Sequence, residues 1–105
     1  MQFSVQLGPY LPHTRYSGDT LFYDYLEQAV LCDRLGFNSG TLTEHHLLSV
    51  RLMPSPLQFA VKIADATKNI KIMTAEVVLP LHDMRKFAGE VITADIFTNG
   101  RLMLG

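Results

Sequence analysis

Residues Ile70 to Leu79 read IKIMTAEVVL, and Pro80 closes the run. The stretch is almost continuously apolar, short, rich in β-branched residues and without alternation. That pattern predicts a strand covered on both faces, the environment of a parallel sheet. Parallel neighbours need long crossover connections, usually helices, so the flanking sequence has to supply them.

It does so on both sides. Upstream, Ser55 suits a helix N-cap and Pro56 the first helical position, where a missing N–H costs nothing. Leu57, Ala60, Val61 and Ala64 form an apolar face, and Lys68-Asn69 closes the helix. Downstream, Asp83 can cap a helix carrying Phe87, Val91 and Ala94, which ends at Asn99-Gly100. Asn-Gly is also a hairpin signal, but the residues before it have helical periodicity. Arg101 to Leu104 then predicts a further strand.

Nearer the N-terminus, Phe3 to Leu7 reads as a strand broken by Gly8-Pro9. After a polar loop, Asp19 or Thr20 can cap a helix from about Leu21 to Leu35. Its stripe is Phe22, Leu26, Ala29, Val30 and Asp33, with Gly36 at the helix stop. Phe37 to Thr43 predicts the second strand. Four strands alternating with three helices imply an α/β fold with parallel pairing and right-handed crossovers. An open doubly wound sheet and the first half of an eight-stranded barrel both fit, and periodicity does not choose between them.

The chain has 105 residues, the size of one small domain, with 48% hydrophobic residues and a formal net charge of -1. Nine Lys+Arg against ten Asp+Glu leave no basic field for nucleic acid or an anionic membrane. Cys32, the single cysteine, cannot form an internal disulfide. Neither a signal peptide nor an apolar run of the ~20 residues that a bilayer requires is visible. A cytoplasmic protein is the expectation.

In either architecture, ligands collect at the carboxyl ends of parallel strands. Glu44-His45-His46 falls there, after the second strand. The functional reading competes with bland ones, in which Glu44 caps a loop and the histidines face solvent or the core. Alternation along an extended chain puts only Glu44 and His46 on a common face, which argues against a metal site. Glu76 is expected as a carboxylate within the apolar third strand, where it needs a partner or a proton. His82 follows the strand as a loop histidine beside a helix start. Phosphate-loop, dinucleotide-binding and G-x-S-x-G patterns are absent.

Taken together, "GFNSGTLTEHH", "PSPLQFAVKIADATKNIKIMTAEVVLPLHD" and "DIFTNGRLMLG" resemble the bacterial luciferase-like flavin-dependent monooxygenases over nearly the whole chain. The resemblance implies the N-terminal half of a (β/α)8 TIM barrel, with residues 1–105 a single incomplete barrel segment. It implies reduced FMN as cofactor, or in some branches a deazaflavin. The partners implied are O2, a small organic substrate and a flavin reductase supplying reduced flavin, with a homo-oligomeric assembly.

Position by position, His45 matches the family's catalytic histidine and His46 its neighbour, also tied to activity. Glu44 matches an acidic residue near the flavin ring. Ala75-Glu76 matches a peptide that is often cis and lies against the isoalloxazine. The family favours a small apolar residue where Glu76 stands, and a proline is frequent where Met84 stands. A histidine suits the proton-transfer role, its unperturbed pKa being about 6.5. A four-strand piece would leave two unpaired edges. A second reading is therefore a non-catalytic half-barrel acting through association.

Overall fold

In the computed structural model, which describes residues 1–10 and 17–105, the elements follow in this order. Strand β1 (Ser4–Gln6) leads to helix α1 (Gly18–Arg34), β2 (Ser39–Leu42) and α2 (Pro56–Ala66). Then come β3 (Lys71–Thr74), a 3-10 turn (Leu79–Leu81), α3 (Met84–Phe97) and β4 (Leu102–Leu104). All neighbouring strands pair in parallel, in the order β1-β2-β3-β4. The expected alternation of strand and helix is therefore the observed one, and Asn99-Gly100 ends a helix rather than turning a hairpin. Asn99 and Gly100 take positive φ, 54° and 68°, and close the α3 C-terminus. The polar loop expected after Gly8-Pro9 lies largely outside the described residues.

The register divides the side chains into two faces. Val5, Gly40, Ile72 and Leu102 stand opposite one another. Leu7, Leu42 and Ile72, each 0% exposed, pack with Ala29 of α1 and with Phe59, Ala60 and Ile63 of α2. The alternate row, Gln6, Thr41, Met73 and Met103, points away from the helices. Gly40 lets the packed face close up, because a Cβ there would lie 2.5 Å from Leu7 Cδ1 and force that buried side chain to shift. Phe22 of α1 meets Phe59 of α2 edge to face, with centroids 5.2 Å apart.

Two boundaries differ most from expectation, while the α2 start is where the sequence put it. Helix α1 begins at Gly18 with Ser17 as N-cap, ahead of the Asp19 or Thr20 cap. Ser55 does occupy the α2 N-cap but makes no side-chain cap bond, whereas Asp83 accepts from the N–H groups of Arg85 and Lys86. The largest difference is β3, which stops at Thr74 instead of Leu79. Beyond it the N–H groups leave the ladder: Val77 donates to the Gly105 carbonyl and Val78 to the Glu44 carboxylate. Glu76 is consequently outside the strand, and its side chain is exposed, not buried.

The amino-terminal end of the sheet is tied by two charged groups. Asp33 accepts the N–H groups of Lys68, Asn69 and Ile70 at 2.9, 2.9 and 2.7 Å, so α1 holds the turn before β3. Arg101 donates to the carbonyls of Ala64 and Thr98 and to the Thr67 hydroxyl, so the residue just before β4 holds the end of α2. These ties make the end opposite the histidines the structural end.

Candidate active site

The candidate Glu and His residues all lie at one end of the sheet, beyond the carboxyl ends of β2 and β3. Glu44, His45 and His46 come just after β2, the Ala75–Glu76 peptide just after β3, and His82 after the 3-10 turn. The β2 and β3 backbones stay coupled past their assigned ends. Ala75 N–H donates to the Leu42 carbonyl at 2.6 Å, and Glu44 N–H to the Glu76 carbonyl at 3.2 Å. The Ala75–Glu76 peptide bond is cis.

Glu44 keeps the parity of Leu42 and turns towards the helix side, where its side chain is 0% exposed. Its Oε1 lies 2.5 Å from His46 Nε2 and 2.9 Å from His82 Nε2, and its Oε2 accepts the Val78 N–H at 2.8 Å. Burial alone would push this carboxyl up. The hydrogen bonds from His46, Val78 and His82 outweigh that cost, and its pKa is lowered. An ionised carboxylate only accepts, so both imidazoles present a protonated Nε2 to it. His82 also lies against the Phe87 ring, with centroids 4.8 Å apart.

His45 takes the opposite state. Its Nε2 lies 3.1 Å from Nη1 of Arg51, and a guanidinium only donates. His45 Nε2 is thus the acceptor, and the ring's proton sits on Nδ1; this tautomer follows from the partner's chemistry. The loop is pinned there by His45 N–H, which donates to the Met53 carbonyl at 2.8 Å. The two adjacent histidines are therefore set in opposite tautomers by different partners. Alternation had placed Glu44 with His46, and the structure brings those two together and adds His82. Nothing local in the sequence signals that third member, which lies 38 residues from Glu44.

Although Glu44, His46 and His82 are two imidazoles and a carboxylate, both ring nitrogens aim at the carboxylate oxygen itself and leave no free point between the three for an ion. Among the described residues, no group of three His, Cys, Asp or Glu side chains is placed to hold a metal ion. Thr43 is the other notable group. Its Oγ1 is buried with no hydrogen-bond partner among the described residues, a costly state for a hydroxyl. No described helix is long and apolar enough to cross a membrane.

The chain belongs to the luciferase-like monooxygenase family, whose model matches residues 1–105. It is 33% identical, over all 105 residues, to the oxygenase component of a flavin-dependent trigonelline monooxygenase from Acinetobacter baylyi, covering 29% of that protein. It is 34% identical over 104 residues to a limonene 1,2-monooxygenase from Rhodococcus erythropolis, covering 27% of it.

Among solved structures, it superposes with a TM-score of 0.92 and 28% identity on the oxygenating constituent of 3,6-diketocamphane monooxygenase from Pseudomonas putida, in complex with FMN. All of this chain and 29% of that one are covered. The fold is thus the N-terminal part of the barrel of these monooxygenases. The chain spans less than a third of the length of the relatives it matches.

Proposed function

We propose that this chain forms the first strand-helix units of a flavin-dependent monooxygenase that uses reduced FMN and O2 to oxidise a small organic substrate. The observation that carries the reading is His45. It stands at the carboxyl end of β2, in the parity of the helix-free face, with its tautomer set by Arg51. The family match over the whole chain and the FMN bound to the diketocamphane enzyme support the same reading.

The residues present fit one wall for a flat heteroaromatic ring. Met73 and Ala75 offer partly buried apolar surface. The Ala75–Glu76 backbone would meet the ring, with the Glu76 side chain turned to solvent. Reduced flavin, when bound, supplies the electrons for O2 activation. With Nε2 occupied by Arg51, His45 would present its Nδ1–H as a hydrogen-bond donor that holds and orients the reacting oxygen. His46 would hold its Nδ1 towards the site, because Glu44 engages its Nε2. Glu44, with no exposed side-chain surface, acts as a positioning residue rather than touching the ring. A flavin reductase and a second copy of the chain are the partners proposed.

The test is an anaerobic titration of the protein with reduced FMN, read by flavin fluorescence, beside one with a reduced deazaflavin. Saturable micromolar binding of reduced FMN is expected. Tighter binding of the deazaflavin would overturn the choice of cofactor. Failure of both to bind would overturn the enzymatic reading and leave association as the role.

A further inference from the structure

His82 has no assigned part in the site, yet it shares one carboxylate oxygen with His46. The two Nε2 atoms lie 2.9 and 2.5 Å from the same Oε1 of Glu44. The carboxylate is sealed, while the rings are not: the His82 side chain is 24% exposed and that of His46 35%. His82 and Glu44 line the floor of a ≈ 690 Å³ cleft between α2 and α3. The pair of histidines therefore straddles a buried negative charge, with His82 opening towards that cleft.

One carboxylate balances one added proton. Two imidazoliums on the same oxygen would leave a net positive charge around a group that water does not reach, and like charges at this separation disfavour each other. The two rings thus compete for a single stabilised proton, and their titrations belong to the pair. Other charges around them are already engaged. Lys86 and Glu90 of α3, across the cleft, pair with each other at 3.5 Å. Asp83 and Arg85, at the α3 start, pair at 2.9 Å. The α2 wall of the cleft contributes Pro56, Leu57, Gln58 and Val61, none of them titratable. Arg51 is held by His45 on the other side.

We propose that His82 is a positioning residue for the oxygenase reaction. Through Glu44 it fixes the ring of His46 with its protonated Nε2 turned inward, and it decides how readily His46 holds a second proton on Nδ1. This rests on the proposed monooxygenase function for its purpose but not for its geometry. By sharing the carboxylate oxygen, His82 limits the stabilisation that Glu44 can give a second proton on His46 Nδ1. The cleft lets His82 exchange protons with solvent without opening the flavin side.

The test is nitrogen-detected NMR of the imidazoles across pH on the unsubstituted protein, H82F and H82Q. In the unsubstituted protein, the His46 and His82 rings are expected to titrate as a coupled pair, each curve showing two steps. In H82F the His46 curve is expected to become a single step, with its midpoint raised by about one pH unit, a tenfold gain in proton affinity. H82Q keeps a neutral N–H donor and should restore part of that shift.

An unchanged His46 curve in H82F, with the amide spectrum still native-like, overturns the proposal. Should H82F fail to fold, H82Q decides: a His46 midpoint that moves up in that variant supports the proposal, and an unchanged one refutes it. These readouts need no flavin. Coupling found in a protein that does not bind reduced FMN would sink the functional reading while leaving the triad intact.

Discussion

Replacing Glu44 by Gln removes one charge and almost no volume, so its effect isolates the buried carboxylate. Val78 N–H can only donate, and it lies 2.8 Å from Oε2. The new amide must therefore keep its oxygen there and present NH2 to both imidazoles, where Oε1 had accepted from His46 and His82 at 2.5 and 2.9 Å. His46 has to change tautomer or lose its partner, whereas His82 Nε2, 3.1 Å from the Oε2 position, can still donate to the retained amide oxygen. Two charge-assisted hydrogen bonds are at stake, each contributing about 1.5–3 kcal/mol, with part recovered by tautomer change. The expected loss at neutral pH is roughly 2–4 kcal/mol, read as a lower urea midpoint at unchanged m-value.

The pH dependence has a definite sign. The folded carboxyl sits below its ordinary value of 4.5, so its stabilisation is fully present above that value. It fades as pH falls through the lower, folded value. The gap between the unsubstituted protein and E44Q should accordingly narrow in acid. A loss below about 0.5 kcal/mol, within the range of ordinary surface substitutions, or a gap that stays constant down to about pH 3, would refute the account of this site.

His45→Ala is expected to reduce turnover by about 10²–10³-fold with little change in urea midpoint, because the ring is only half-buried; turnover preserved in that variant would remove the main catalytic claim. Asp33→Ala should cost roughly 2 kcal/mol, mostly from the N–H of the fully buried Ile70 left without a partner. Asp33→Asn should cost about half as much by the same urea assay, and equal losses would show that the three N–H bonds are not what matters. Burial pushes Asp33 up, but those bonds and Arg101 bring its pKa below the usual 3.8, so this stabilisation also disappears only in acid. Arg101→Met removes donors to Ala64, Thr67 and Thr98 and should loosen the α2–β4 end first. Amide exchange around Ala64 to Ile70 should accelerate more than exchange in α1, and uniform acceleration would contradict this.

Much of the fold could be read from residues close together in sequence, because the forces that set it are local. Pro56 at a helix start, Asp83 as a cap, Gly36 and Gly100 at helix stops, and the 3.6-residue stripes each depend on a few neighbouring positions. They fix the order of strands and helices, and with it the side of the sheet on which Glu44-His45-His46 emerges. Alternation even pairs Glu44 with His46.

What the local signals could not supply was where the hydrogen bonds cross between segments. The apolar run after Thr74 looks like more strand, but Val77 and Val78 find acceptors at Gly105 and Glu44, 28 and 34 residues away in sequence, and the ladder stops. Likewise Glu76 is apolar by its neighbours and exposed in the fold. His82 reads as a loop residue until β2 and β3 pair in register and the following turn folds back over Glu44. The opposite tautomers of His45 and His46 have the same origin, since one ring meets a guanidinium and the other a carboxylate. Sequence patterns follow backbone periodicity, whereas the partners of a buried charge depend on strand register and loop course, and these exist only once the sheet has formed.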